Sequence, residues 1–553
     1  MFVKNTGNNL RKKSRFVLLL LTVALVFSAV TGAFAIDREA AKQLNPDIKN
    51  IIVMIPDGMG VDGLALARWY KSYDTKTGNF DTSVSLALDG LASGLVRTWW
   101  KSGDKIGGIT DSAPASTAMA AGIKTNDKFI GVTDKSVPVA TILEAANLIG
   151  KSTGLVGTSN IQHATLAAFS SHYNNRAQYG IIGEQQAHNN MDVVFGGGSQ
   201  YLNYNGRDVI EAVKGMNYQY ITTGKEMNAV KSGKVWGMFA PDAMAYDFDR
   251  AELYPDQPSL AEMTVKAIEL LSQNDKGFFL MVEGSKIDWT AHANDPIGLI
   301  SDILAFDAAV AAALEFAKES RNTMLLIMSD HGTGGITMGN RDTQDAKAAL
   351  SYDSAALGSF IVPLTKARLT GEGVAEKFDE GRANIGEVMA EWYGVSDLTP
   401  RETAVIKNAA LGSMNYAVGP IISERAFLGW TTHGHTGQEV NLFTYLPGDG
   451  RITGVLDNTD IALICAGVWG IDLEAVTRRL FNEAETAFKA KGANVKTDLE
   501  KGEMTVTKGR DTLVISDCKN YVFLNGDKVI LDSVIVNQSG KFYVSETILG
   551  MIK

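Results

Sequence analysis

Short apolar, β-branched runs recur along this chain, and each is joined at one end to a cluster of glycine, aspartate, histidine or hydroxyl residues. Asn50-Ile51-Ile52-Val53-Met54-Ile55 runs into Pro56-Asp57-Gly58-Met59-Gly60. Gly154-Leu155-Val156-Gly157-Thr158 leads to Ile161-Gln162-His163-Ala164-Thr165, and Val193-Val194-Phe195 leads to three glycines. The run at 278–282 is followed by Glu283-Gly284-Ser285-Lys286-Ile287-Asp288-Trp289-Thr290-Ala291-His292, and that at 323–328 by Ser329-Asp330-His331-Gly332. Runs that are apolar throughout, rather than at every second residue, are strands covered on both faces, as in a parallel sheet between helices. Helical patterns separate them. Ser259-Leu260-Ala261-Glu262 is a capping box that opens an amphipathic helix reaching about Leu271, and 296–318 is a long Ala- and Leu-rich helix. This alternation predicts an α/β fold: a three-layer α/β/α sandwich around a large, mostly parallel central sheet. Open α/β sheets bind ligands at the carboxyl ends of their strands, and the polar clusters fall there.

The N-terminus reads differently. Lys4, Arg11, Lys12, Lys13 and Arg15 precede the apolar run 16–30, and Ala33-Phe34-Ala35 follows as a small-x-small cleavage site. That is the pattern of a secretory signal peptide over 1–35, with no stable membrane span after cleavage. The expected location is outside the cytoplasm: extracellular, cell-wall-associated or periplasmic. Loss of those five positive charges takes the formal net charge from −10 to −15, which argues against nucleic acid as a partner. An acidic protein that handles an anion must concentrate positive charge locally, and metal ions would do so. Export permits disulfides, but the chain has only Cys465 and Cys518, and their spacing leaves pairing open.

One stretch carries a candidate nucleophile. In Ile109-Thr110-Asp111-Ser112-Ala113-Pro114-Ala115-Ser116-Thr117-Ala118-Met119-Ala120-Ala121-Gly122, a helix is expected over 115–121, with Pro114 in its first turn. Ser112 then sits where free backbone N–H groups favour an anion, either as a plain N-cap or as an attacking hydroxyl. Four of the seven histidines, at 163, 292, 331 and 435, lie beside carboxylates or hydroxyls in segments that follow or flank strands. Asp288 and His292, four apart, share one helix face and can grip one ion. Mixed Asp/His ligation suits zinc, whereas Asp, Glu and Thr oxygens suit magnesium.

Taken in order, Asp57-Gly-Met-Gly, Asp111-Ser112-Ala, Thr165 with Arg176 eleven residues on, Glu283-Gly-x-x-Ile-Asp288-x-x-x-His292, Asp330-His331 and His435-Thr-Gly resemble the motif set of alkaline phosphatases. The resemblance spans about 50–447. It implies hydrolysis of small-molecule phosphate monoesters through a phosphoserine formed on Ser112, with Arg176 clamping phosphate. Asp288, His292 and His435 would hold one zinc, and Asp57, Asp330 and His331 a second. Thr165 and Glu283, bridged by Asp57, would hold a magnesium. Two positions that vary in the family lie beside this set. His163 stands where some bacterial members have an aspartate and animal enzymes a histidine, so the third ion is open between magnesium and zinc. Trp289 stands where some bacterial members have a lysine. The family also implies a homodimer.

With this resemblance the chain divides into a catalytic domain at 36–460 with a variable insert at 335–430, a helical linker at 461–500, and a small β-rich module at 501–553. Within these, helices are expected at 383–392, 399–411 and 473–490. The last segment has a weak likeness to the small domain named after the N-terminal part of copper amine oxidases, and a spacer or wall-contact role is expected of it. Sulfatases are excluded because their Cys-x-Pro-x-Arg motif is absent. A phosphodiesterase fits less well, because an arginine fork matches two free phosphate oxygens best. His433, two before His435, reads as a loop residue, with a further ligand or a residue supporting the ligands as the alternative, and His172 and His188 receive no role.

Overall fold

The computed structural model describes residues 35–36, 38–44, 47–204, 206–340, 356–410 and 412–552. The expected signal peptide falls almost wholly outside them, as do residues 341–355 of the expected insert. Ten strands form the central sheet: β1 (Asn50–Pro56), β2 (Ala92–Arg97), β3 (Ser152–Asn160), β4 (Val193–Gly197), β5 (Gln219–Ile221), β6 (Val235–Met238), β7 (Phe278–Gly284), β8 (Thr323–Met328), β9 (Val440–Tyr445) and β10 (Gly454–Asp457). Their order is β5-β6-β4-β3-β7-β1-β8-β9-β2-β10. Only β9 runs against its neighbours, pairing antiparallel with β8 and β2; every other adjacent pair is parallel.

Because side chains alternate across a strand, the continuous apolar runs feed two separate cores. Ile52 and Met54 of β1, Leu280 and Val282 of β7, and Leu325 and Ile327 of β8 face one side. There they meet α1 (Val61–Ser72) and two helices numbered below in chain order. Ile51, Val53 and Ile55, with Phe279, Met281, Met324 and Leu326, face the other. That second side is covered by α2 (Ser112–Ala121), α3 (Ile142–Leu148), α4 (Ala164–Ser170) and, at the end of the domain, the helix Thr459–Val468. The first side is closed by α5 (Leu260–Leu271), opened by the expected Ser259–Glu262 capping box, and by α6 (Pro296–Ser320). The expected three-layer sandwich is present. The helix α6 is long and apolar enough to cross a bilayer, but most of its apolar window is packed inside the fold.

Several local expectations shift. The helix expected from 115 begins at Ser112, because Asp111 caps it by accepting from the N–H of Ala113. Pro114 therefore sits in the first turn, where it displaces no hydrogen bond. The residues expected as a linker divide. Helix Thr459–Val468 belongs to the main core, with Ile461, Ala462, Ile464 and Cys465 fully buried. The helix expected over 473–490 is two, Leu473–Leu480 and Ala484–Ala490, separated by the strand pair Asn482–Glu483. In the insert, the pattern at 383–392 is the short helix Ile385–Val388 followed by a wider turn to Tyr393, and that at 399–411 is Pro400–Asn408.

The C-terminal module starts earlier than 501. Asn494–Asp498 is already the first strand of a five-stranded antiparallel sheet that continues to Ile530. Asn525-Gly526 makes the tight turn between its last two strands, with both residues at positive φ. A separate core of Phe488, Val506, Ile515, Phe542 and Ile548 fills the module.

Cys465 lies in the main core and Cys518 in the module, and both are free and buried. Denatured protein should therefore titrate two thiols per chain without reductant, and its melting temperature should not move when reductant is added. A thiol count near zero would show that the two pair.

Candidate metal centre

Five strands adjacent in the sheet, β3-β7-β1-β8-β9, deliver the polar clusters to one edge. Asp57 follows β1, His163 and Thr165 follow β3, Glu283 ends β7, and Asp330 and His331 follow β8. Asp288 and His292 sit one turn apart on the short helix Lys286–His292 that precedes α6. His435 precedes β9. Because β9 is reversed, its amino end lies where the carboxyl ends of its neighbours lie, and His435 joins them.

Three groups of ligand atoms result, each close enough to hold one ion: Asp288–His292–His435, Asp57–Asp330–His331 and Asp57–His163–Glu283. Asp57 is common to two of them. Thr165 faces Glu283 in the third. His331 and His435 stack with centroids 3.6 Å apart, so the first two groups are neighbours. The Asp57, Glu283, Asp330 and His331 side chains are fully buried, whereas His292 and His435 retain access to solvent.

The histidines are oriented for ligation. The Nδ1 atoms of His292, His435 and His331 each lie against an oxygen: the His433 carbonyl at 2.5 Å, the Thr110 carbonyl at 2.7 Å and the Thr333 hydroxyl at 3.2 Å. The Thr333 hydroxyl donates its own hydrogen bond to Asp288 Oδ1 at 2.6 Å. If Nδ1 donates in each case, every Nε2 presents a lone pair. The Nε2 atoms of His292 and His435 nevertheless face each other at 3.1 Å, and two lone pairs so close call for a cation between them and Asp288.

The charge balance points the same way. Both carboxylate oxygens of Asp57 and of Glu283, Asp330 Oδ2 and the Thr165 hydroxyl are buried without a hydrogen-bond partner. Burial, then the carboxylates of Asp330, Asp288 and Glu283, push Asp57 well above its ordinary range. Burial carries Glu283 to about 8. Burial opposes the ionisation of Asp288, but His292, His331 and His435 hold it below the usual carboxylate range. Orphaned, mutually repelling carboxylates next to aimed imidazoles fit divalent cations well.

Ser112 is buried, with Oγ 3.1 Å from His331 Nε2. In a Ser-His-Asp relay the carboxylate would orient the other ring nitrogen. Here the same Nε2 also faces Asp330 Oδ2 at 3.2 Å and Asp57 Oδ1 at 3.6 Å. Serine, imidazole and both carboxylates converge on one point, which is a coordination geometry. Arg176 reaches this site from the loop after α4. Its Nη1 pairs with Asp111, and its Nη2 lies 2.9 Å from His163 Nε2. Burial, then the Arg176 charge, lowers His163 to about 3, so its ring is neutral and can accept that bond. Trp289 packs edge-on against His163, centroids 5.7 Å apart.

Asp111 and Thr333 gain parts that the sequence did not give them, and His433 takes the supporting part that was its alternative. Asp111 caps α2 and orients Arg176 with one carboxylate. Thr333 links Asp288 to His331. His433, expected as a loop residue, exchanges hydrogen bonds with His292, its Nδ1 lying 2.7 Å from that residue's carbonyl. Only the Asp-Ser adjacency at 111–112 was visible in advance.

A covered, mostly parallel sheet with three groups of ligand atoms and a buried hydroxyl at its carboxyl edge is the layout of a metal-dependent enzyme. Residues 48–470 match the family described as Alkaline phosphatase, and 474–550 match the Copper amine oxidase N-terminal domain. Alkaline phosphatase 4 of Bacillus subtilis is 36% identical over 465 residues, covering 80% of this chain and 95% of that protein. The cold-active alkaline phosphatase of a psychrophilic Shewanella superposes with a TM-score of 0.64 at 28% identity, covering 76% of this chain and 99% of that one. A His-to-Asp variant of TAB5 alkaline phosphatase with magnesium in its M3 site superposes with a TM-score of 0.55 at 26% identity, covering 78% of this chain and 100% of that one. The chain belongs to the alkaline phosphatase family, whose members hydrolyse phosphate monoesters.

Two outcomes follow from the geometry. Gly58 has φ +71°, and a Cβ there would lie 2.6 Å from Asp288 Oδ1 and 2.8 Å from Thr333 Oγ1. Gly58→Ala should fold yet lose at least about tenfold in turnover, since small displacements of catalytic groups are costly; wild-type turnover would contradict this. In chelator-treated protein, Glu283 should keep its proton up to about pH 8 when folded and release it near its ordinary 4.5 when unfolded. Its folded value is raised, so unfolding releases a proton in this window and stability falls as pH rises. His292, raised to about 8 by Asp288 against the effect of burial, acts in the same direction. The melting temperature of stripped protein should therefore drop between about pH 5 and pH 8. A rise over that range would contradict the assignment.

Proposed function

We propose that this chain is an exported phosphomonoesterase in which Ser112 attacks phosphorus directly. The observation that carries the reading is the convergence of Ser112 Oγ, His331 Nε2, Asp330 and Asp57 on one point, beside a second group formed by Asp288, His292 and His435. Mixed imidazole and carboxylate donors favour zinc at these two groups. The third group, Asp57, Glu283 and His163 with the Thr165 hydroxyl, is richer in oxygen and favours magnesium. The M3 magnesium of the TAB5 variant supports that choice, while the His163 nitrogen keeps zinc as the alternative. Bound there, the ions would supply the positive charge that ionises the Ser112 hydroxyl near neutral pH and balances the leaving oxygen.

The protein's own groups do the rest. Ser112 Oγ, its proton released to solvent water, forms a bond to phosphorus as the bond to the ester oxygen breaks on the opposite side. The alcohol leaves, taking a proton from water, and a phosphoserine remains. Water then attacks the same phosphorus as its bond to Ser112 Oγ breaks, Oγ regains a proton from that water, and inorganic phosphate is released. Arg176, held by Asp111 and His163, presents its planar fork to two non-bridging oxygens. A diester carries one negative charge fewer and a second ester group to accommodate, so monoesters are preferred. The basic n-region, apolar run and Ala33-Phe34-Ala35 site support export, and the family resemblance supports a homodimer.

Ser112→Ala should lower kcat on a nitrophenyl phosphate monoester by at least about a thousandfold, the scale of losing a nucleophile. The wild-type protein should turn over the matching diester and sulfate ester far more slowly. A Ser112→Ala variant within about tenfold of wild type would remove the serine from the reaction.

A further inference from the structure

The C-terminal module is seated directly behind the loop that carries Arg176. Its hairpin Val536–Gln538 and Lys541–Val544 packs with Leu480 and Phe481 against Ala140 of the catalytic domain. Phe481 lies edge-on to the imidazole of His172, centroids 4.7 Å apart. Gln538, only 2% exposed, reaches across the seam and donates from Nε2 to the carbonyl of His172 at 2.7 Å. The same carbonyl accepts from Gln185 Nε2 at 3.0 Å, so both of its lone pairs are used. One residue past the hairpin's first strand, Ser539 Oγ accepts from Asn174 Nδ2 at 3.5 Å.

His172 is itself fixed. Its Nε2 lies 2.8 Å from Glu144 and its Nδ1 2.7 Å from the Gly131 carbonyl, both buried. Burial opposes protonation, but Glu144 and the carbonyl raise the imidazole above its ordinary value. From His172 the chain runs as a short bridge, Tyr173 exchanging backbone hydrogen bonds with Ile130 at 2.8 Å, and Arg176 N–H donates to the Lys128 carbonyl at 2.9 Å. The segment 172–176 is thus held on one side by 128–131 and on the other by the module. Three residues lie between His172, whose carbonyl Gln538 grips, and Arg176, whose guanidinium is aimed at the site.

We infer that the module is a buttress for this loop, and that Gln538 is a positioning residue that sets the placement of Arg176. This replaces the spacer role expected from sequence, and it rests on the reading of Arg176 as the phosphate clamp. A loosened loop would let the guanidinium drift from two phosphate oxygens, weakening substrate and product phosphate alike. Ser112 and the two ligand groups beside it, Asp57–Asp330–His331 and Asp288–His292–His435, are carried by other segments than this loop. The expected signature is therefore a change in affinity with the chemical step preserved.

The seam also contains contacts that do not touch this loop. Glu184, 1% exposed, accepts from Arg207 at 2.6 Å and pairs with Lys519 of the module. Asn520 Nδ2 donates to Asn190 Oδ1 at 2.9 Å. They give an internal control.

The test uses the full-length, metal-loaded protein with a nitrophenyl phosphate monoester and with inorganic phosphate as inhibitor. Gln538→Ala, and independently Asn174→Ala, should raise KM and the phosphate inhibition constant together by about two- to tenfold, the scale of one buried hydrogen bond. Their kcat per folded protein should stay within about twofold. Asn520→Ala should leave all three constants unchanged. If Arg176→Ala raises KM and the inhibition constant while Gln538→Ala and Asn174→Ala do not, the buttress is overturned and the clamp stands. If Gln538→Ala lowers the melting temperature alone, the residue is structural and the inference is likewise overturned. If Arg176→Ala itself changes neither constant, the clamp reading fails and takes the buttress with it.

Discussion

Asp57, Glu283, Asp288 and Asp330 lie together out of water, and their repulsion is the constraint around which the molecule is arranged. Arg176 supplies a permanent positive charge facing Asp57, and Asp111 already claims part of it. Ionised carboxylates packed this way are tolerated only against cations. Without them Asp57 and Glu283 hold protons far above their ordinary range, and the imidazoles of His292 and His435 meet face to face. With cations in the three groups, each of these conflicts becomes a ligand bond. The same charge would then bear on Ser112, whose hydroxyl is buried at the junction of two groups. Folding and chemistry thus draw on one electrostatic arrangement.

The sheet makes that arrangement affordable to build. Adjacent strands end at one edge, and each end contributes one or two ligands while the strand behind it is buried on both faces. Reversal of β9 is the feature that completes the set, because it carries His435 to the edge from the opposite chain direction. The oxygens that orient the imidazoles come from elsewhere: the carbonyls of Thr110 and His433 and the hydroxyl of Thr333. These are loop positions, held by the same edge that they organise.

Much of this was legible in the sequence, for identifiable reasons. Strands buried on both faces leave continuous apolar runs, so β1, β7 and β8 could be read directly. Ligands at strand ends sit next to such runs, so Asp57, Glu283, Asp330 and His331 stood out. Asp288 and His292 are joined by helical spacing. The reversal of β9 left no trace in composition, because a strand reads the same in either direction. Asp111 was hidden by its double use as cap and ion-pair partner. Thr333, and His433 through its carbonyl, act in ways that residue type does not announce. In the C-terminal segment, Asn525-Gly526 announced its turn, but the strand Asn494–Asp498 alternates in burial among charged residues and was read as linker. The seam between module and catalytic domain depends on pairs such as Gln538 and His172, hundreds of residues apart, which no local pattern encodes.

The central claim, that cations balance the buried carboxylates at the sheet edge, is most directly tested by anomalous diffraction from crystals grown with zinc and magnesium. Three ions are predicted, with zinc signal at the Asp288–His292–His435 and Asp57–Asp330–His331 groups and the third ion between Asp57, His163 and Glu283. Crystals of catalytically active protein with no ion at the first two groups would contradict the account.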